Sequence, residues 1–259
     1  PDPNMDYSVS LGITPKNYSP EEILNLPEQI AAKMDIHIVV CIDEFQQIGE
    51  WADSLTIQKR MRSVWQHQQH TSYCLFGSKK HLLANLFQNR RMPFYHFGDT
   101  IYLKPISTSD WIPFICGKFA EKGKKISEEL VGKICTTVAS HSSYVQQLAW
   151  NIMVNTETEV TDEIFQQSIS ELLAQCSPLF IQQIQGLTTY QMNLIRCLCQ
   201  GVRKDFTSKE VLETYQLGSK SNISRLKKTL VEKEIIEEEG DTITLADPIF
   251  ELWFKREYM

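Results

Sequence analysis

Ile38-Val39-Val40-Cys41-Ile42-Asp43-Glu44 decides how this chain is read: four aliphatic residues around one cysteine make a strand-like run that stops at two adjacent carboxylates. A run with no polar member predicts a strand covered on both faces, as in a parallel sheet flanked by helices, and ligands bind outside the C-terminal ends of such strands. There Asp43 and Glu44 would offer two adjacent carboxylates to a ligand. The plainer reading is a buried strand followed by a solvated turn.

The neighbouring sequence extends the pattern. Residues 54–67 carry Leu55, Met61, Val64 and Trp65 on one side of a helix, and Tyr73-Cys74-Leu75-Phe76 is a second short apolar run, closed by Gly77 and Ser78. Strand, helix and strand in that order predict a right-handed parallel crossover, which puts Asp43, Glu44 and Ser78 along one sheet edge. The Ser78 hydroxyl can join the two carboxylates there, or cap the helix over 79–88; the two uses are compatible.

With 259 residues, 42% of them hydrophobic, the chain can bury a substantial core in one large or two modest domains. No uninterrupted apolar stretch reaches the length of a membrane span and no secretion-type leader is read, so a cytoplasmic protein with no membrane contact is expected. Seven cysteines, with Cys197 and Cys199 only two apart, fit neither a zinc site nor a disulfide framework and read as reduced core residues. His67 and His70 have no third ligand at useful spacing. A net charge of −6 argues against coating nucleic acid by charge alone.

The chain is polar and irregular up to Ser19-Pro20-Glu21-Glu22, a capping signature that predicts a helix through about Met34. Residues 1–105 read as the α/β part, closed by a third strand at Ile101-Tyr102-Leu103. Residues 106–185 read as a helical subdomain: Trp111, Phe114, Ile115 and Phe119 share a face, Ser127-Glu128-Glu129 starts a helix with Leu130, Ile134 and Val138, and Thr161-Asp162-Glu163 starts another. Residues 186–259 read as a winged helix. Its helices are a first over 189–200, a second opened by a capping box at Thr207-Ser208-Lys209-Glu210, and a third over 219–232 with Ile223, Leu226 and Leu230 inward; a hairpin turns at Glu238-Glu239-Gly240-Asp241. The third helix carries Lys220, Asn222, Arg225, Lys227 and Lys228. The wing carries Glu237, Glu238, Glu239 and Asp241, which would repel phosphate within a Debye length of about 10 Å. A protein-contacting module is therefore favoured over a DNA-binding one. A last helix after Asp247-Pro248, with Phe250, Leu252, Trp253 and Phe254, is expected to pack back on the domain.

Taken together, the Walker B-like Ile42-Asp43-Glu44-Phe45-Gln46, the strand ending Leu75-Phe76-Gly77-Ser78, the later Leu103-Lys104-Pro105, the helical region and the winged helix resemble the archaeal-type ATPase family, of the AAA-type and STAND branch of P-loop ATPases. The resemblance implies an α/β fold: a P-loop ATPase parallel sheet, here partial, then a helical lid and a C-terminal winged helix. It also implies an ATP-driven switch with ATP and magnesium as cofactors, Asp43 on the metal, Glu44 catalytic and Ser78 on the nucleotide. The family's phosphate-binding loop is absent, and Gly117 to Gly123-Lys124-Lys125 has the wrong spacing and no hydroxyl. The chain thus reads as the carboxyl-terminal part of a longer ATPase, expected to hydrolyse ATP poorly or not at all by itself. Where relatives carry an arginine, the string is Pro93-Phe94-Tyr95-His96-Phe97; Arg90 and Arg91 just upstream can substitute, or simply close a helix as surface charges. Ser140-His141-Ser142-Ser143-Tyr144 replaces a glycine-and-proline turn, with Ser142 and Ser143 as helix caps. A nucleic-acid-binding regulator and a scaffold without nucleotide remain alternatives.

Overall fold

The computed structural model describes residues 18–259, so the irregular start expected before Ser19 lies outside the described residues apart from Tyr18. The chain forms two compact units, one ending at Tyr102 and the other spanning Leu103–Met259.

The first unit opens with α1 (Pro20–Leu24), where Ser19 Oγ accepts the Glu22 N–H at 3.2 Å and Glu22 Oε2 accepts the Ser19 N–H at 2.7 Å. The helix does not run unbroken to Met34. Pro27 has no N–H to give and its ring crowds the carbonyl four residues back, so the chain restarts after Asn25 as α2 (Leu26–Met34). Then β1 (Ile38–Ile42) and β2 (Thr71–Leu75) pair in parallel, Ile38 opposite Thr71 and Ile42 opposite Leu75. A 3-10 turn (Phe45–Glu50) and α3 (Ser54–Trp65) connect them, and α4 (Lys80–Gln88) follows. The core is a small aromatic cluster in which Phe94 meets Phe45, Trp65, Phe87 and Phe97 at ring distances of 5.4 to 5.9 Å. Trp65 stacks on Tyr73 at 4.0 Å.

Four expectations fail here. The strand was expected to be covered on both faces, yet Val39 is 60% exposed and Cys41, Ser72 and Cys74 beside it are exposed too. Among the described residues this sheet has two strands and its aromatic cluster lies on one side, so burial alternates along β1 even though its residue types do not. Cys41 and Cys74 are therefore not core residues. Ile101-Tyr102-Leu103 is not a strand. No described strand lies beside it to accept its backbone hydrogen bonds, and Ile101 and Leu103 are left 81% and 85% exposed. On α3, Leu55 faces out while Ile57, Met61, Val64 and Trp65 face the cluster.

The second unit is helical up to its hairpin: α5 (Thr108–Glu121), α6 (Glu128–Thr137), α7 (Ser142–Asn155) and α8 (Asp162–Ile184), then α9 (Thr189–Cys199), α10 (Lys209–Thr214) and α11 (Lys220–Glu232). The antiparallel hairpin of β3 (Ile236–Glu239) and β4 (Thr242–Leu245) and a last helix, α12 (Pro248–Tyr258), complete it. Ser107, Ser127 and Thr161 each accept the N–H three residues on, starting α5, α6 and α8. Ser142 and Ser143 cap nothing. Helix α7 begins at Ser142 behind His141, which makes no side-chain cap, and Ala139 and Ser140 turn the chain with φ of 49° and 55°. The cap of α10 is Ser208, bonded to the Val211 N–H, so Glu210 sits one residue early to close a capping box. Phe114 points outward, unlike Trp111, Ile115 and Phe119.

One hydrophobic core runs from Trp111 to Phe254. Helix α12 packs back as expected: Asp247 Oδ1 accepts the Ile249 and Phe250 N–H groups, its Oδ2 accepts the Tyr144 hydroxyl at 2.5 Å, and Trp253 Nε1 donates to Ser177 Oγ at 3.0 Å. No helix among the described residues is long and apolar enough to cross a membrane.

Candidate functional site

Parallel pairing continues past the ends of β1 and β2, because the Phe76 N–H donates to the Ile42 carbonyl at 3.1 Å and the Phe45 N–H to the Phe76 carbonyl at 3.0 Å. This brings Asp43-Glu44 beside Gly77-Ser78. Glu44 is held in the left-handed region, φ 49° and ψ 38°, which costs a non-glycine residue about 1–3 kcal/mol. Asp43 Oδ1 accepts the Glu44 N–H at 2.7 Å, an anchor for that conformation. The Glu44 carboxylate is held at both oxygens: Oε1 accepts the Ser78 hydroxyl at 3.3 Å and Oε2 accepts Gln46 Nε2.

Gln46 is 1% exposed, and its Oε1 has no hydrogen-bond partner among the described residues. It lies against the Gly77 backbone, where an added Cβ would come within 1.9 Å. Gln46 and Gly77 were named from the sequence only as members of their motifs and given no role; a polar residue between the inward Phe45 and Ile48, and a glycine between Phe76 and Ser78, were the available signals.

Ser78 is not the cap of α4. The cap position belongs to Lys79, which makes no side-chain cap bond, and the Ser78 hydroxyl goes to Glu44 instead. Arg90 and Arg91 are exposed in the turn after α4, and neither side chain forms an ion pair or hydrogen bond with Asp43, Glu44 or Ser78. The arginine built into this unit is Arg62 of α3. It donates to the Pro93 carbonyl and, at 2.9 Å, to the Tyr95 carbonyl, with its guanidinium 5.4 Å from the Phe97 ring centroid, so it fixes the 93–97 string.

Among the described residues no three His, Cys, Asp or Glu side chains converge as a metal cage. Asp43 is exposed with one carboxylate oxygen unpartnered among them, a donor set that suits a magnesium ion otherwise held by phosphates and water. At the opposite end of β2, Glu28 accepts the Gln69 and His70 N–H groups and lies 2.9 Å from His70 Nδ1. Burial works to raise its pKa, but these hydrogen bonds outweigh it and hold the carboxyl down to about 2.

In the winged helix, Lys227 lies 3.9 Å from Glu238 of the hairpin and 5.2 Å from the Phe206 ring centroid, while Lys228 pairs with Glu232 at 3.9 Å. Two of the cations read from the sequence are thus engaged within the domain.

The family described as "Probable winged helix domain" matches residues 178–256. A Walker-type ATPase of Pyrococcus abyssi superimposes with a TM-score of 0.72 at 15% identity, covering 97% of this chain and 72% of that one. The ORC2 protein of Aeropyrum pernix, solved as ADPNP–ADP complexes, gives 0.47 at 11% identity over 95% and 72%. The ORC1 protein of the same organism, solved with DNA, gives 0.46 at 14% identity over 93% and 70%. Of these structures the first alone is close enough to define a fold. None of the curated proteins compared matches the chain. The resemblance read from the sequence therefore stands as a likeness of fold: an α/β unit followed by helices and a C-terminal winged helix.

Proposed function

We propose that this chain, which has the fold of a Walker-type ATPase and ends in a winged helix, is the carboxylate-bearing and lid part of an ATP-driven molecular switch. The observation that carries the reading is the convergence of Ser78 on Glu44 beside Asp43 at the C-terminal ends of two parallel strands. Asp43 would hold magnesium through its unpartnered oxygen. Bound there with ATP, the ion would draw charge from the phosphates. Glu44, fixed by Gln46 and Ser78, would orient and polarise the attacking water, and the Ser78 hydroxyl would answer to the γ-phosphate. Arg90 and Arg91 are cations available to a phosphate. The winged helix would contact a protein, since its Lys227 is drawn to the acidic wing rather than left free for DNA.

On this reading the backbone amides of a phosphate-binding loop would be supplied from outside this sequence, and the chain alone is expected to be inactive. The natural codons upstream of Pro1 test this first: a G-x-x-x-x-G-K-S/T after an apolar strand supports the switch, and a start codon directly before Pro1 sinks it. With the upstream segment restored, Glu44→Gln should keep nucleotide binding while lowering the hydrolysis rate about a hundredfold or more.

A further inference from the structure

Helices α5 and α7 both pack on α6 and leave a groove between themselves, a cavity of about 220 Å³. Buried Trp111, Phe119 and Ala149 line its depth. Phe114 and Trp150 also line it, yet they are 52% and 62% exposed, and two large aromatic side chains left open beside one groove mark a surface that something else covers. The border is basic. Lys118 and Lys122 line the groove, and Lys124 Nζ donates to the carbonyl of the lining residue Met153 at 2.7 Å. Glu121 is the single acid in the lining, and both of its oxygens are taken by Lys118 at 2.9 Å. A local excess of lysine around an apolar groove runs against the net charge of −6.

We infer that this groove docks an amphipathic helix with an acidic polar face, contributed by a partner protein. Its apolar face would seat a bulky side chain between Phe114 and Trp150, as in helix-in-groove recognition, and its carboxylates would meet the net positive border, Lys122 and Lys124 first, since Lys118 is already paired with Glu121. A nucleic acid fits less well, because the depth of the groove offers phosphates no partner. The inference does not depend on the nucleotide reading.

The test uses the whole chain and a fluorescein-labelled synthetic helix with leucine and tryptophan on one face and glutamate on the other, followed by fluorescence anisotropy. The control peptide carries lysine in place of glutamate. The glutamate peptide is expected to bind at least about tenfold tighter than its lysine twin, with an affinity that falls as salt rises. Trp150→Glu, at an exposed position, should weaken that binding about tenfold or more while leaving the circular dichroism unchanged. The double variant Lys118→Glu/Lys122→Glu should reverse the peptide preference. Equal binding of the two peptides, or indifference to Trp150→Glu, overturns the proposal. So does a concentration-dependent dimer that Trp150→Glu abolishes, which would give the groove to a second copy of the chain.

Discussion

In the first unit a few aromatic side chains gather on one side of two paired strands, and the other side of those strands lies open with Val39, Cys41 and Cys74 on it. In the second unit one apolar core runs continuously through eight helices and a hairpin, and its last helix is tied in by Tyr144 to Asp247 and by Trp253 to Ser177. The contrast is instructive because the candidate chemistry sits in the less complete unit. Two strands covered on one face are marginal by themselves, so the geometry at Glu44 depends on local devices. Gln46 presses on Gly77, Ser78 reaches Glu44, and Arg62 fixes the 93–97 string.

Thiol chemistry should expose this contrast with the largest effect. Burial pushes Cys197 and Cys199 up to about 12 and also raises Cys135, whereas Cys41 and Cys74 lie on the open face. A thiol reagent added to the native chain should modify Cys41 and Cys74 promptly and the three buried thiols about a thousandfold or more slowly, since those must wait for unfolding. Peptide mapping by mass spectrometry reads the order; protection of Cys41 and Cys74 would break the comparison.

Truncation of apolar side chains should follow the same line. Phe254→Ala, in the second core, is expected to remove about 3–5 kcal/mol in urea unfolding, while Val39→Ala on the open face should change stability by less than about 0.5 kcal/mol. A comparable loss from both would mean that the open face is covered in solution.

Gly77→Ala sharpens the comparison inside the first unit. The new methyl would meet the Gln46 amide, for an expected cost of about 1–3 kcal/mol. Adding Gln46→Ala should return most of it, so a double-mutant cycle with additive losses would remove Gln46 from the account.

The pH dependence should be the mildest effect. The Glu28 carboxyl is held down to about 2 from an ordinary value of 4.5, so the stability it contributes is fully present above 4.5 and is lost as pH falls towards 2. Tryptophan fluorescence at Trp65 should show the first unit weakening across that window, and Glu28→Gln should flatten the slope. A slope unchanged by Glu28→Gln would rule out this carboxyl as its cause.

Much of the architecture was legible because its signals are local. Serine and threonine caps, a capping box at Ser19 and Glu22, glycine at the hairpin turn, and apolar spacing in α11 each act within a few residues, and they gave most of the helices and the hairpin closely, the break at Asn25 excepted. The meeting of Ser78 with Glu44 was legible too, since strand, helix and strand leave little choice of geometry. Gln46 and Gly77 were not. Their importance lies in a contact between residues thirty-one positions apart, which neither residue type announces.

By itself, then, the sequence determined most of the helices, the paired strands and the hairpin, where two carboxylates and a hydroxyl converge, and the charge on the wing, because all of these follow from spacing and side-chain chemistry. The tertiary structure alone decided which apolar residues are covered. Val39, Phe114, Trp150, Ile101 and Leu103 belong to types that favour burial, and each is exposed because covering a side chain takes a neighbouring surface and a strand takes a partner to share its hydrogen bonds.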